Sequence, residues 1–360
     1  MVKNLEKIKT EILDFSILIP CRNEINFIEV MINSVLRQDA FKSLRGEIIV
    51  IDGSSTDGTN QLLLEMQSKI KSLKLYCNHL GYVSSSLNIG IENAQGKYLV
   101  RMDAHSEYPD NYISTIISYM EQHADVENAG VPWNTVPTGN SKEAVSIAHM
   151  LSHKFGVGTA MYKLECEEPC DVDTVPFGCF RRTIFEKLGL FDLELIRNQD
   201  DEFNGRIINS GGRIVLLPGP KITYFARASY KKLWLTYYQY GLFKPLTVSK
   251  LRKPATIRQL IPPFFVLGIL TLLVLMLCRI EIAFFMGFIG TFLYGWIGVL
   301  ATKDLKKRSY YDSSMGGVFS YFPFVFTAMF LTHVSYGWGY LIGVAKLIAG
   351  KRNASMKSSR

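Results

Sequence analysis

Apolar residues are arranged in two regimes along this chain. Up to about residue 228, short apolar runs alternate with stretches where apolar residues recur three and four apart. From Ile261 onward they continue for roughly twenty positions at a time. In the first regime Phe15–Pro20 reads as a strand, followed by Phe27, Ile28, Met31, Ile32 and Val35 at helical spacing. A second strand ends at Asp52, and the Gly/Ser-rich turn after it opens a helix at Thr56 or Asp57. Lys74–Cys77 is a third strand, Val83–Ala94 a helix and Lys97–Met102 a fourth strand. This alternation predicts an α/β fold with a mostly parallel sheet and right-handed crossovers. Beyond Asp110 the pattern predicts a helix to about His123, then an irregular stretch over Thr138–Thr174. A strand running into a helix that stops at Gly189, a helix over Asp200–Asn209 and a last strand complete it.

The second regime predicts a membrane region. Ile261–Cys278 and Ile282–Ala301 are each about one crossing, with Arg279, Ile280 and Glu281 as a short outer turn. Lys303, Lys306, Lys307 and Arg308 form a loop that the positive-inside rule places in the cytoplasm. Val318–Ile348 is long for a single crossing and contains Pro323 and several Gly. It reads as one tilted helix or as two short helices in a re-entrant hairpin, giving three or four helices over 261–348. The basic tail, residues 349–360 with Lys351, Arg352, Lys357 and Arg360, prefers the inside and favours the hairpin. Between the regimes, residues 229–260 are basic, and Ser229–Leu246 is amphipathic and aromatic. It reads as a helix lying in the membrane interface, or as a core helix of the soluble part.

Charge and cysteines sharpen this division. The formal net charge of +8 raises nucleic acid as a partner, but nine Lys or Arg and no acid fall between Lys221 and Leu260. Basic charge beside apolar spans matches an anionic leaflet, so membrane lipids account for it and nucleic acid is not required. The first fifteen residues are charged and lack an apolar h-region, so the soluble domain, residues 1–228, is expected in the cytoplasm. The six cysteines are scattered, as in a reducing compartment. Cys166 and Cys170 have a spacing that could serve zinc, but no second Cys/His pair accompanies them, and free thiols are expected.

Three stretches carry candidate chemistry. Val100–Pro109 places Asp103 and His105 just past a strand end, where open α/β sheets bind ligands. The pair can hold a divalent metal, or Asp103 or Ser106 can simply cap the next helix. The Gly/Ser turn after Asp52 suits a phosphate or ribose contact, although it is neither a P-loop nor a GxGxxG turn and could be a plain capped turn. Asp200, Asp201 and Glu202 adjoin at a helix start, where acids also simply complement the helix dipole. One of them facing the crevice of Asp103 would be a general base.

Taken together, FSILIPCRNE, VIDGSSTDGT, RMDAH and RNQDDEF occur in the order that resembles glycosyltransferase family 2, over about Phe15–Leu246. Within it the chain is most similar to the membrane glucosyltransferases of succinoglycan assembly. The resemblance implies a GT-A fold, a Rossmann-like catalytic domain followed by transmembrane helices. It also implies an inverting transfer from a nucleotide sugar, with UDP as the expected nucleotide, to a polyprenyl-diphosphate-linked saccharide at a bacterial plasma membrane. Pro20, Arg22, Glu24, Asp52 and Asp103 would bind the nucleotide sugar, Asp103 and His105 would hold Mn²⁺ or Mg²⁺, and Asp200 would be the base, with Asp201 as runner-up. Three departures stand out: His105 replaces the second metal-motif Asp, Gly53 follows Asp52, and Gln199 precedes Asp200. Gln239-Tyr240-Gly241 stands where processive synthases carry their Gln-x-x-Arg-Trp motif, which argues against a long-polymer synthase. A polyprenyl-phosphate sugar synthase and a non-enzymatic nucleotide-sugar scaffold are the alternatives.

Overall fold

The computed structural model describes residues 13–158, 166–226, 229–253 and 256–350. In its first part β1 (Leu13–Cys21), α1 (Ile28–Leu36), α2 (Ala40–Ser43), β2 (Gly46–Asp52), α3 (Thr59–Lys69), β3 (Leu73–Cys77), α4 (Val83–Asn93) and β4 (Gly96–Arg101) alternate as expected. The four strands pair in parallel in the order β3-β2-β1-β4. Phe15, Ile17, Ile19, Ile48 and Val50 point into one core, and Leu18, Ile49 and Ile51 into the core on the other face. Both faces are covered, so these strands read as unbroken apolar runs.

The next elements widen the sheet and start a second one. They are β5 (Ser106–Glu107), α5 (Tyr112–Gln122), β6 (Val126–Gly130), β7 (Trp133–Pro137), α6 (Lys142–Leu151), α7 (Lys154–Val157), β8 (Cys170–Asp171), β9 (Cys179–Arg181), α8 (Arg182–Leu188), α9 (Gln199–Asn209), β10 (Arg213–Leu216) and β11 (Ile222–Ala226). The full sheet is β3-β2-β1-β4-β9-β6-β10-β8, with β9 antiparallel to both β4 and β6. The smaller sheet is β5-β11-β7. The sheet is therefore mixed. Helix α6 occupies part of the stretch expected to be irregular, and β11 lies beyond the strand expected to be last. Cys166 and Cys170 are free thiols.

Four helices complete the chain: α10 (Tyr230–Leu251), α11 (Ile257–Leu277), α12 (Glu281–Asp304) and α13 (Phe322–Ile348). Three segments, Ile257–Leu277, Glu281–Lys307 and Val318–Ile348, are long and apolar enough to cross a membrane. The expected hairpin within Val318–Ile348 is not formed. Pro323 sits in the first turn of α13, where its missing N–H costs nothing, so it starts the helix rather than breaking it. The glycines serve close packing instead: a Cβ on Gly339 would lie 2.2 Å from the Tyr238 carbonyl oxygen. The tail expected inside, residues 351–360, and Arg227 of the basic run lie outside the described residues.

Helix α10 does not lie free on a surface. Its first residue donates its N–H to Glu143 of α6 at 2.6 Å, and Lys250 near its end meets Asp192 at 2.6 Å. Both ends are thus fixed to the α/β domain. Helix α13 runs parallel to α10 along its length: Tyr230 Oη donates to the Phe324 carbonyl at 3.0 Å, and Gly343 lies against Leu242. Helices α11 and α12 leave this layer as a hairpin whose tip, around Leu277 and Ile282, is exposed.

Candidate active site

Strand β4 delivers the first group of side chains. Arg101, its last residue, is buried and turns its guanidinium toward the start of α9, where Nη1 donates to Asp200 Oδ1 and to the Pro176 carbonyl (2.7 Å). Two residues on, Asp103 is buried, and its N–H donates to Tyr108 Oη at 2.7 Å. This bond fixes the turn that the sequence left between a metal motif and a cap. The helix that follows, α5, is not capped by a side chain of Asp103 or Ser106.

His105 is held between two carboxylates. Its Nε2 is 3.3 Å from Asp103 Oδ2, and its Nδ1 is 3.3 Å from Glu24 Oε1 on the loop after β1. Two adjacent ligands of an octahedral ion, each about 2.1 Å from it, stand about 3 Å apart, so Asp103 and His105 fit as neighbouring ligands. Glu24 fits as the outer carboxylate that holds the ring so that Nε2 faces Asp103. Among the described residues no group of three or more His, Cys, Asp or Glu is placed to hold an ion alone.

Helix α9 delivers the acids. Asn198, with a left-handed backbone (φ 62°), turns the chain into it and donates its amide to the Tyr240 carbonyl at 2.9 Å. Asp200 and Asp201 follow in the first turn, each paired with a different buried cation: Asp200 with Arg101, and Asp201 with Lys244 of α10. Burial pushes the Asp200 carboxyl above the usual carboxylate range, and Arg101 only partly offsets it. At Asp201 burial also acts upward, but Lys244 and, more weakly, Arg258 overcome it and hold the group low. Neighbouring acids are thus driven apart, one toward proton uptake and one toward permanent charge.

Arg101, Asp103, His105, Asp200, Asp201 and Lys244 line one cleft of about 730 Å³. The same cleft continues past Tyr237, Tyr240, Lys154 and Arg258 to Pro262 and Phe265 of α11, Tyr294 of α12 and His333 of α13. It therefore joins the acid cluster to the apolar helices.

The remaining expected residues stand at the ends of the next two strands, Pro20 and Arg22 at β1 and Asp52 at β2. Asp52 ends β2, but its carboxylate is turned into its own loop, accepting from Ser55 Oγ at 2.5 Å and Asn60 Nδ2 at 3.1 Å. Arg22 lies across Gly53 and Gly81; at Gly81 (φ +68°) a Cβ would meet its Nη1 at 2.7 Å. Pro20 is buried in β1 beside Ile51. None of these three lines the cleft of Asp103. Arg101 and Lys244 escaped the sequence reading, although an Arg inside the apolar run Lys97–Met102 was a visible sign of a buried partner.

Residues 16–189 match the family model described as Glycosyl transferase family 2. The chain is 29% identical over 243 residues to a dolichyl N-acetyl-alpha-D-glucosaminyl phosphate 3-beta-D-2,3-diacetamido-2,3-dideoxy-beta-D-glucuronosyltransferase of Methanococcus voltae, covering 65% of this chain and 74% of that protein. It is 26% identical over 249 residues to the succinoglycan biosynthesis protein ExoA of Rhizobium meliloti, covering 68% and 73%. The mannosyltransferase PcManGT of Pyrobaculum calidifontis, solved with GDP-Man and Mn²⁺, superposes with a TM-score of 0.60 at 16% identity over 95% of this chain and 89% of that one. That likeness shows the GT-A fold. Residues 16–189 are a glycosyltransferase family 2 domain.

Proposed function

We propose that this protein is a membrane-anchored, inverting glycosyltransferase that moves a sugar from a nucleotide sugar, UDP-linked by expectation, to a lipid-linked saccharide. The observation that carries this reading is the single cleft running from Asp103 and His105, past Asp200, to the apolar helices. Asp200 accepts the proton of an acceptor hydroxyl. The freed oxygen forms its bond to the anomeric carbon from the face opposite the nucleotide, the bond from that carbon to the phosphate oxygen breaks, and the nucleoside diphosphate leaves. Configuration inverts in this one displacement. A carboxylate whose pKa is raised toward neutrality by burial takes a proton better than an ordinary one, and the Arg101 pair keeps it ionised enough to act. Asp103 and His105 would hold a divalent ion, which would supply charge neutralisation on the diphosphate. Pro20, Arg22 and Asp52 shape the nucleotide's end of the sheet edge, and Glu24 orients His105.

The packing supports one anchoring mode. Helix α13 lies along α10, which is fixed to the α/β domain at both ends, so we assign the crossing to the α11–α12 hairpin and place α13 in the cytoplasmic interface. Phe330, Trp338 and Leu347 of α13 are exposed, apolar side chains suited to that layer. This also leaves the basic tail inside. The function is tested by incubating membranes containing the protein with a panel of nucleotide sugars, a lipid extract and Mn²⁺ or Mg²⁺. Sugar found on lipid only with the ion, and lost in Asp103→Ala and Asp200→Asn, supports it; undiminished transfer in EDTA and in both variants contradicts it.

A further inference from the structure

The cleft changes character along its length. At the Asp103 end carboxylates predominate: His105 lies between two of them, and Asp200 and Asp201 each hold a cation. Beyond Asp201 stand two more cations, Lys154 at the start of α7 and Arg258 in the first turn of α11. Lys154 makes no salt bridge among the described residues. Arg258 meets Asp173, a half-exposed carboxylate, at 2.7 Å and also lines the cleft. The two residues are neighbours in the cleft wall: Arg258 packs its stem against the position a Cβ of Gly158 would take, 3.0 Å away, and Gly158 closes the short helix that Lys154 begins, with the Lys154 ammonium 5.3 Å from the Phe155 ring centre. Past them the wall is apolar and aromatic, with Pro262, Phe265 and Tyr294 on the helices that leave the domain.

An anionic head and a long apolar tail are the chemistry that such a sequence of surfaces matches. We infer that Lys154 and Arg258 form a phosphate-binding site at the membrane end of the cleft, which takes the diphosphate of the lipid-linked acceptor while its lipid passes over Pro262 and Phe265. This rests on the acceptor being lipid-linked, as proposed above. The position is coherent with that reading, because Arg258 stands at the foot of the α11–α12 hairpin, at headgroup depth if the hairpin crosses the membrane. It also stands on the Asp201 side of the cleft, since its charge acts on Asp201. A diphosphate held there leaves the acceptor sugar facing Asp200. Guanidinium and ammonium groups on phosphate oxygens make charge-assisted hydrogen bonds, among the stronger polar contacts available.

The test measures binding and does not depend on turnover. The full-length protein in nanodiscs of neutral lipid is titrated with undecaprenyl diphosphate, with undecaprenol and with inorganic pyrophosphate. The variants are Lys154→Gln, Arg258→Gln and the double variant, with Arg258→Lys as the charge-conserving control. UDP binding is measured in parallel. The expected result is saturable binding of undecaprenyl diphosphate, weakened about tenfold or more by the double variant. Undecaprenol and pyrophosphate alone should each bind more weakly, Arg258→Lys should bind in part, and UDP affinity should be unchanged. Unchanged lipid affinity in the double variant overturns the site. So does an equal loss of UDP affinity, which would place the two cations on the donor, and so does equal competition by phosphatidylglycerol, which would make them a bulk-lipid anchor. Failure of sugar transfer with every donor tested, while lipid binding persists, would count against the enzymatic reading and leave this site standing.

Discussion

Arg101 is the residue whose removal discriminates best between a base and a bystander at Asp200. Its guanidinium contacts Asp200 at a site where the two side chains are only 7% and 16% exposed. At an effective dielectric of 20, opposite charges 4 Å apart attract by about 4 kcal/mol, which is an upper bound for what Arg101→Met removes from the ionised carboxylate. Each 1.4 kcal/mol is a factor of ten, so transfer near neutral pH is expected to fall by up to several hundredfold. The loss should depend on pH in a definite direction. Burial already pushes the Asp200 pKa upward, and without Arg101 nothing opposes it, so the ionised fraction shrinks most at low pH. The assay is initial rate of sugar transfer by protein in proteoliposomes from pH 5.5 to 9. The acid limb of the profile should move to higher pH in Arg101→Met, with activity partly recovered at alkaline pH. Arg101→Lys should lie between. A uniform loss at every pH, with the limb where the unaltered protein has it, would refute the role of Asp200 as the base.

Other outcomes follow from the same geometry. Glu24→Gln should weaken apparent Mn²⁺ affinity about 10–100-fold while leaving maximal transfer at saturating metal nearly intact, because Glu24 orients His105 without being a ligand itself. His149 is fully buried between α6 and α12, its Nε2 donating to the Ala301 carbonyl at 2.8 Å, and burial lowers its pKa to about 4. The unfolded chain takes up that proton near pH 6.5 and the folded chain does not until about 4, so stability should fall by about 3 kcal/mol as the pH drops through this window. Thermal melting in detergent reads the slope, and His149→Asn should flatten it. A tag placed after Arg360 should be shielded from protease in intact spheroplasts and cleaved in inverted vesicles if α13 lies in the cytoplasmic interface.

The parallel half of the sheet was legible in the chain because strands buried on both faces have to be apolar throughout and their crossovers amphipathic. The apolar hairpin was legible for the same reason of solvent. Helix α6 was missed although Ala144, Val145, Ile147, Ala148 and Leu151 recur at helical spacing; its polar positions Ser146 and His149 are buried along with them, between the small sheet and α13. Strand β11 was missed because its partners, β5 and β7, are distant in sequence. In the site, Asp103, His105, Asp200 and Asp201 carried their own signature and do meet in one cleft. Their partners Arg101, Lys244 and Glu24 are set by tertiary contact across 99, 43 and 81 positions, which no local pattern encodes. The packing of α13 was likewise hidden, because glycines that admit a neighbouring backbone look the same in sequence as glycines that end a helix.

The central claim is that Asp200 removes the proton from a saccharide hydroxyl at the end of a cleft shared with the membrane. Mass analysis and NMR of the lipid product, formed by proteoliposomes given the nucleotide sugar they accept, test it most directly. The account predicts one sugar added to a saccharide oxygen, with the anomeric configuration opposite to the donor's, and no product from Asp200→Asn protein that still inserts and binds UDP. A sugar found directly on a phosphate oxygen, a retained anomeric configuration, or full product from Asp200→Asn would contradict it.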